Sequence, residues 1–520
     1  MVVYRFFTGD ENGIVKSVKF NVPPGRITPE RPIVTTVTTI DERPNAGRVQ
    51  LMAAGQASDG SRLLAVSRGN GSTSIYSYVH KGEDIIPQQE WSETRFKPLE
   101  DVFVGLCLSP QGTYTCTSRG HLRLTPHQTN NQDVGAPSPT TVPLTAYLPT
   151  RLKAFQMSPV DQRQFAYGGD EVELSLWDVE KTFTKEVSGK EGEGENHAKV
   201  LKKGRKKEVL FPGETWRSRN VPHDFLNIRD QVHITALSFL SPATTPDDGG
   251  SSSSRTTNLI TGSLSGAVRS YDTRTEDRRP TQSWDKVIQP GHGGVKTIEQ
   301  GHSENQVFVS DASSNLYSLD VRNGRIIYKY PSISGAVVSV SCTPPSVSSL
   351  VPTLTASAAE TTAPTSPSIA PSNARPLPTR PPHLASVSLD RFIRLHTAPI
   401  PPINPTQNSN GLVTSKYGIE GRGKVLAKEF LKGTPTCVVW DMLSGVLDLE
   451  DELGKRRRKE EREKEEEEAI WMGMEMAEVG KSGAKGKRKP ADSEEDSGDE
   501  DEDSEDESTA VRKVKRGRMG

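Results

Sequence analysis

The feature that most restricts the folds open to this chain is an internal repeat. Four segments align without gaps over seventeen residues: QFAYGGDEVELSLWDVE (164–180), NLITGSLSGAVRSYDTR (258–274), QVFVSDASSNLYSLDVR (306–322) and HLASVSLDRFIRLHTAP (383–399). RFFTGDENGIVKSVKFN (5–21) fits the same frame. Each opens on apolar residues, crosses a turn of small or polar residues and continues in a second apolar run. That run ends in an aromatic or apolar residue, usually followed by Asp, as in Trp177-Asp178, Tyr271-Asp272 and Leu319-Asp320. Period-2 runs flanked by Gly, Ser, Asp and Asn read as two strands joined by a tight turn.

A second element recurs upstream of these hairpins. FVGLCLSP (103–110), LKAFQMSP (152–159), ITALSFLSP (234–242) and VVSVSCTP (337–344) are apolar strands ending in Ser-Pro or Thr-Pro. Proline lacks an N–H and stops the ladder there. Strand, proline turn, hairpin and a looser fourth strand is the order of a propeller blade, and in this order the chain resembles WD-repeat proteins. The expected fold is all-β, a seven-bladed WD-repeat β-propeller. Its hairpins fall near 5–20, 62–79, 113–125, 164–179, 258–273, 306–321 and 383–398. The signature residues are degenerate. Only Trp177-Asp178 keeps the Trp-Asp dipeptide within a hairpin, and Gly291-His292 and Gly301-His302 are poor matches to the Gly-His element. The first hairpin starts at Tyr4, which leaves blade one no room for its innermost strand. PTCVVWD (435–441) has the inner-strand pattern, and KVLAKEFLK (424–432) before it suits the outer strand of blade seven. The C-terminal strand is therefore expected to complete the blade that the N-terminus begins, leaving no free edge.

The propeller is expected to occupy 1–441, interrupted at 181–220, 345–382 and 399–423, with a low-complexity charged tail, disordered or helical, over 442–520. Hydrophobic residues make up 33%, while Gly (44) and Pro (37) are plentiful, which suits short strands and turns diluted by segments without a core. Segment 345–382, rich in Pro, Ser, Thr and Ala, cannot bury enough apolar surface to fold and is expected to be disordered. The net charge of −2 conceals strong local blocks. One is the basic run Lys199, Lys202, Lys203, Arg205, Lys206 and Lys207, followed by Trp216, Arg217 and Arg219. These cations are candidate RNA contacts, with an ordinary solvated loop as the alternative. Trp216 suits either a stacking surface or a blade core. In the tail, Lys455, Arg456, Arg457, Arg458 and Lys459, then Lys485, Lys487, Arg488 and Lys489, are candidate nuclear import signals. From Asp492 to Glu507 twelve of sixteen residues are acidic. Ser493, Ser497 and Ser504 lie in that block with acidic residues downstream and are candidate phosphorylation sites.

Catalytic chemistry is not in evidence in the sequence. Gly480-Lys481-Ser482 ends like a phosphate loop, but residue 475 is Glu where the leading Gly is required. The ten histidines are scattered, and the four cysteines, Cys107, Cys116, Cys342 and Cys437, form no C-x-x-C pair. Buried free thiols in a reducing compartment are the expected reading. Asp170, Asp311 and Asp390 fall at hairpin turns, where a carboxylate bonds backbone N–H groups. No catalytic residue, metal, cofactor, small-molecule substrate or membrane partner is expected. No run approaches the 18 or so apolar residues of a membrane-spanning helix, and the N-terminus lacks the layout of a secretory signal.

RFFTGDENGIVK at the N-terminus, ASVSLDRFIRLH in the seventh hairpin, KVLAKEFLK and the basic tail together resemble the nucleolar WD-repeat ribosome-assembly factors of the Nsa family. The resemblance is strongest over 4–21 and 383–441. It implies a non-catalytic scaffold in precursors of the large (60S) ribosomal subunit, in the nucleus and nucleolus. There it would bind pre-ribosomal RNA and other large-subunit assembly factors, and an AAA-type ATPase would release it. A nuclear adaptor for chromatin or ubiquitin-ligase complexes, and a hydrolase or isomerase on a propeller, remain alternatives at this point because fold is a weak guide to function.

Overall fold

The computed structural model describes residues 2–23, 32–43, 47–78, 85–127, 142–159, 162–184, 200–201, 208–223, 225–240, 257–275, 277–285, 287–289, 291–343, 382–401, 423–441 and 462. The chain divides into two compact units, Met1–Glu452 and Leu453–Gly520. Among the described residues the first unit contains seven four-stranded antiparallel sheets and one two-stranded pair, Val200–Leu201 with Glu208–Val209.

Each four-stranded sheet is one blade, and its strands run from an innermost a to an outermost d. Blade two is Val49–Gln56, Arg62–Arg68, Ser72–Tyr78 and Ile85–Ser92. Blade three is Phe103–Leu108, Gly112–Thr117, His121–Pro126 and Leu144–Tyr147. Blade four is Leu152–Met157, Gln164–Gly169, Val172–Asp178 and Glu214–Arg217. Blade five is Ile234–Leu240, Asn258–Ser263, Val268–Asp272 and Gln282–Trp284, and blade six is Val295–Gln300, Gln306–Asp311, Leu316–Asp320 and Arg325–Lys329. Blade seven is Val337–Cys342, His383–Ser388, Phe392–Thr397 and Val425–Phe430. Blade one joins the two ends of the ring: its a strand is Pro435–Trp440, and its b, c and d strands are Val2–Asp10, Ile14–Val22 and Val34–Glu42. The expected hairpins and the expected closure are all present.

Burial explains the pattern of residues. A b strand lies between two neighbouring blades, so Arg62–Arg68, Gly112–Thr117, Gln306–Asp311 and His383–Ser388 are buried along their whole length. Outer strands face solvent on one side, and Val34–Glu42 alternates accordingly. The apolar core is divided among the blade interfaces. Phe7, Val15, Val49 and Leu64 pack blade one on blade two, and Phe6, Phe20, Ile393 and Trp440 pack blade one on blade seven. The inner strands form a closed cycle, each packed against the inner strands on either side. Side chains stitch that cycle to neighbouring backbone. Gln50 Oε1 accepts from Phe103 N at 2.7 Å, Gln156 Oε1 accepts from Phe239 N at 3.0 Å, and Thr235 Oγ1 donates to Val295 O at 2.6 Å. Ser341 Oγ accepts from Trp440 N at 3.2 Å. The taper toward the axis accounts for a recurring glycine. A Cβ on Gly262 would stand 2.4 Å from Val295 Cγ1, and one on Gly9 would stand 2.4 Å from Val49 Cγ1.

The closing strand is held at both edges. Phe6 pairs with Trp440 and Gly9 with Cys437 in the ladder. Asp441, which follows the strand and is buried, donates its backbone N–H to Arg5 O at 2.9 Å, while its carboxylate accepts from Tyr78 Oη at 3.1 Å and lies 3.4 Å from Arg62 Nη1. Blade two thereby grips the strand that completes blade one.

Polar pairs tie hairpin turns to the connections entering each blade. In blade six Asp311, fully buried, accepts from the N–H groups of Ser313 and Asn315 at 3.0 Å each, and its other oxygen lies 3.4 Å from His292 Nδ1. Gly291-His292 thus lies in the connection entering blade six, with the His292 ring against the Asp311 turn. Blade seven substitutes Ser334, whose Oγ donates to Asp390 at 2.7 Å, and blade three substitutes the ion pair of Arg119 with Asp101. Asp311 and Asp390 thus have the expected turn role. Asp390 also pairs with the buried Arg394, which lies beside the buried His396.

Two segments differ from expectation. The span 181–220 is not insertion throughout: Glu214–Arg217 within it is the outer strand of blade four, and Val179–Phe183 is a short helix capped by Asp178. Trp216 is buried in the core between blades four and five, which settles it as a blade residue. The four thiols are free, and burial pushes those of Cys107, Cys342 and Cys437 up to about 12. Segments 128–141, 185–199, 202–207, 344–381 and 402–422 lie outside the described residues, as do all the candidate import and phosphorylation residues of the tail and Gly480-Lys481-Ser482.

Removing Pro435–Trp440 exposes the inner edge of Val2–Asp10 and the apolar faces of blades seven and two. A chain ending at Gly433 is expected to show no cooperative thermal transition, whereas one ending at Glu452 melts like the full chain. Equal melting of both would refute the closure. Blade seven also predicts a pH response. Burial, reinforced by the charge of Arg394, pushes the His396 imidazole down to about 3. An unfolded histidine titrates near 6.5, so between about pH 6.5 and 3 the unfolded chain holds a proton that the folded chain lacks. Stability then falls as pH falls, by at most about 1.4 kcal/mol per pH unit. Burial raises the Asp390 carboxyl, but hydrogen bonds from Arg394, Ser388 and Ser334 outweigh this and hold it well below the usual range. Its contribution is complete above about pH 4 and is lost below. Denaturation at pH 7 and pH 5 is expected to show a smaller loss in His396→Gln than in the parent. Asp390→Ala, which strands the buried Arg394, is expected to cost about 3 kcal/mol at pH 7.

Candidate protein-interaction surface

Strand direction gives the ring two unlike sides. Within each blade the a and c strands run one way and b and d the other. The b–c turns and the d-to-a connections therefore open on one side, and the a–b and c–d connections open on the other. The b–c turns are short, as at 69–71, 118–120 and 170–171. The three longest connections belong to the second side: those replacing a simple turn between Val172–Asp178 and Glu214–Arg217, between Val337–Cys342 and His383–Ser388, and between Phe392–Thr397 and Val425–Phe430. Val2 and Asp441 also emerge there. The sequence carried this arrangement only implicitly, in the order of strands.

The candidate RNA contacts are divided by this geometry. Lys199, Lys202, Lys203, Arg205, Lys206 and Lys207 lie outside the described residues, in a connection that enters blade four at the Glu214 end of its outer strand. Arg217 stands at the opposite end of that strand, and Arg219 lies beyond it in the connection to blade five. The Arg217 guanidinium is turned onto its own blade. Nε donates to Glu214 Oε1 at 2.7 Å, Nη2 to Glu214 Oε2 at 2.5 Å, and the Phe211 ring lies 5.1 Å beneath. Glu214 is buried and also accepts from Ser175 Oγ at 2.6 Å, so Arg217 neutralises an internal carboxylate. The Arg219 backbone N–H bonds Arg278 O at 2.8 Å.

On the short-turn side, the connection 218–233 between blades four and five stands out. Its base is firmly tied: Asn220 Nδ2 donates to Asp230 O at 2.6 Å, Arg269 Nη2 to Asp230 Oδ2 at 2.5 Å, and Glu171 N to Val232 O at 2.7 Å. Its tip carries Phe225, Leu226 and Ile228 at 94, 63 and 59% exposure. Leu264, in the b–c turn of blade five, is exposed beside the end of this loop, with its N–H bonded to His233 O at 3.0 Å. Around the patch, Lys153 lies 3.4 Å and His233 3.3 Å from Asp170, and Arg229 lies 3.7 Å from Glu171. Asp170 is thereby an ion-pair partner at a turn. An apolar centre within a rim of paired charges is the composition of a protein-binding surface. Sequence reading missed it because PHDFLNIRD resembles an ordinary half-buried strand until its exposure is known. Among the described residues no three His, Cys, Asp or Glu side chains stand close enough to hold a metal, and no helix is long and apolar enough to cross a membrane.

No known family profile matches the chain. A WD repeat-containing protein of Dictyostelium discoideum is 23% identical over 195 residues, a match covering 38% of this chain. That segment spans only 29% of the relative's length, so the relative's remaining parts have no counterpart in the match. The seven interlocked blades make the chain a seven-bladed β-propeller, and over the matched segment it is similar to a WD repeat-containing protein.

Proposed function

We propose that this propeller is a WD-repeat protein and a non-catalytic scaffold in biogenesis of the large ribosomal subunit, acting in the nucleus and nucleolus. WD-repeat propellers typically serve as scaffolds or adaptors, and the observation that carries the reading here is the two-sided ring. One side gathers the three longest connections, including the one that contains Lys199–Lys207. The other presents short turns and an exposed apolar loop. Such a body can hold a nucleic acid and a protein at once. The resemblance to the Nsa family adds the setting, and its two best-matching stretches, 4–21 and 383–441, are those that interlock in blades one and seven. In this reading the basic run contacts pre-ribosomal RNA through phosphates, without reading sequence. Other assembly factors bind the ring, and an AAA-type ATPase releases it.

Gradient sedimentation of the tagged protein, with RNA recovered from each fraction, tests the proposal. The protein is expected to run with large-subunit precursors and their RNA. Deleting 199–207 is expected to lower RNA retention most at raised salt while leaving the thermal transition unchanged. Migration with nucleosomes or ubiquitin-ligase subunits, or at the top of the gradient, would overturn the ribosomal reading and leave a nuclear adaptor.

A further inference from the structure

We infer that the short-turn side of the ring docks a carboxylate-rich protein segment bearing apolar side chains, with the loop 218–233 as its anchor. This names a side and a partner chemistry that the scaffold reading leaves open, and its binding test does not require that reading to hold.

The apolar half of the argument is exposure without internal cause. Besides Phe225, Leu226, Ile228 and Leu264, the same side exposes Leu389 in the b–c turn of blade seven and Leu99 in the connection between blades two and three. Leu99 is fully exposed, and its φ of 75° is a conformation in which a leucine is strained. Burial in the ring explains none of these positions. Three apolar side chains within Phe225–Ile228 form a cluster rather than the scattered single residues that need no explanation. The loop is also tied at its base before any partner arrives, through Asp230, Asn220 and Val232. Little ordering remains to be done on binding, which favours affinity.

The charged half lies at the channel mouth on that side. Arg48, Arg151, Lys153, Lys296 and Lys432 are all exposed at or just before the inner strands of blades two, four, six and one. The acids beside them are paired: buried Asp101 and exposed Glu100 with Arg119, Asp230 with Arg269, and Asp170 with Lys153 and His233. Arg48, Arg151, Lys296 and Lys432 therefore leave an excess of positive charge at the entrance, and the complementary partner is acidic. A nucleic acid would also answer the charge. However, the apolar tip of the loop is mostly aliphatic, Leu226 and Ile228 beside Phe225, whereas base recognition on single strands relies on aromatic faces. Leucine and isoleucine beside cations suit a peptide whose apolar residues pack on the loop while its carboxylates reach the mouth.

The test uses the purified full chain and an array of synthetic peptides of about fifteen residues, a length suited to a segment docked in extended or helical form. The peptides combine Asp and Glu with Leu, Phe or Trp at varied spacing. Control arrays replace the acids by Lys or the apolar residues by Ser, and oligo(U) serves as the RNA probe. Acidic peptides with apolar residues are expected to bind by fluorescence anisotropy and to weaken as salt rises. The double variant Phe225→Ser/Leu226→Ser and the double variant Lys153→Glu/Lys296→Glu are each expected to lose on the order of tenfold in affinity. Ile400→Ser, at an exposed position on the opposite side, is expected to lose none. All these positions are exposed, so thermal transitions check that each variant folds. Absence of binding, or binding indifferent to both doubles, would overturn the inference. So would oligo(U) binding that the Lys153/Lys296 variant alone abolishes, which would give the surface to nucleic acid. Self-association lost in the Phe225/Leu226 variant, without peptide binding, would give it to a second copy of the chain.

Discussion

The structure depends on one strand pairing, that of Pro435–Trp440 with Val2–Asp10. A propeller has no central core to hold it together; its apolar surface is divided among blade interfaces, each shared by two neighbours. Remove one inner strand and two interfaces open together, here those carrying Trp440 toward blade seven and Cys437 toward blade two. The chain places this strand more than four hundred residues from its partner. The entropy of closing so long a loop grows only with the logarithm of its length. Asp441 adds a polar lock to Tyr78 and Arg62, so the closure is specified by charge as well as by apolar fit.

The ring geometry also governs which residues each position accepts. Toward the axis the blades converge, and a side chain on one must be matched by a gap on the next. The contacts of Gly9 with Val49 and Gly262 with Val295 are two instances. They explain why glycine recurs in the aligned segments at a place where a strand would ordinarily avoid it. The inner strands lie too far apart to share a ladder across blades. Short polar side chains such as Thr235 and Ser341, and the longer Gln50 and Gln156, bridge them by bonding neighbouring backbone.

The hairpins were legible because b strands are buried on both faces and leave an unbroken signature, as in LLAV and LASV. The closure was legible from what blade one lacked. Outer strands were harder. Ile85–Ser92, Leu144–Tyr147 and Gln282–Trp284 are half-exposed, the last two also short, and their residues match no template strongly. Glu214–Arg217 was absorbed into a supposed insertion because the basic run before it dominated the local composition. The contact that His292 makes was not legible for a related reason: its partner, Asp311, lies nineteen residues away. Nor could sequence alone divide the site into sides. That division follows from the alternation of strand direction, a property of the whole ring rather than of any segment.

The same closure has a mechanical consequence. Val2–Asp10 and Pro435–Trp440 run antiparallel, and the two chain ends leave the ring on one side. A tension applied between those ends does not pull the strands past one another with every bond resisting at once. It loads the pairs in turn, beginning at Phe6 with Trp440, then Phe7 with Val439, and ending at Asp10 with Pro435. In this direction the closure is a zipper, and Asp441, with its bonds to blade two, is the catch at its open end.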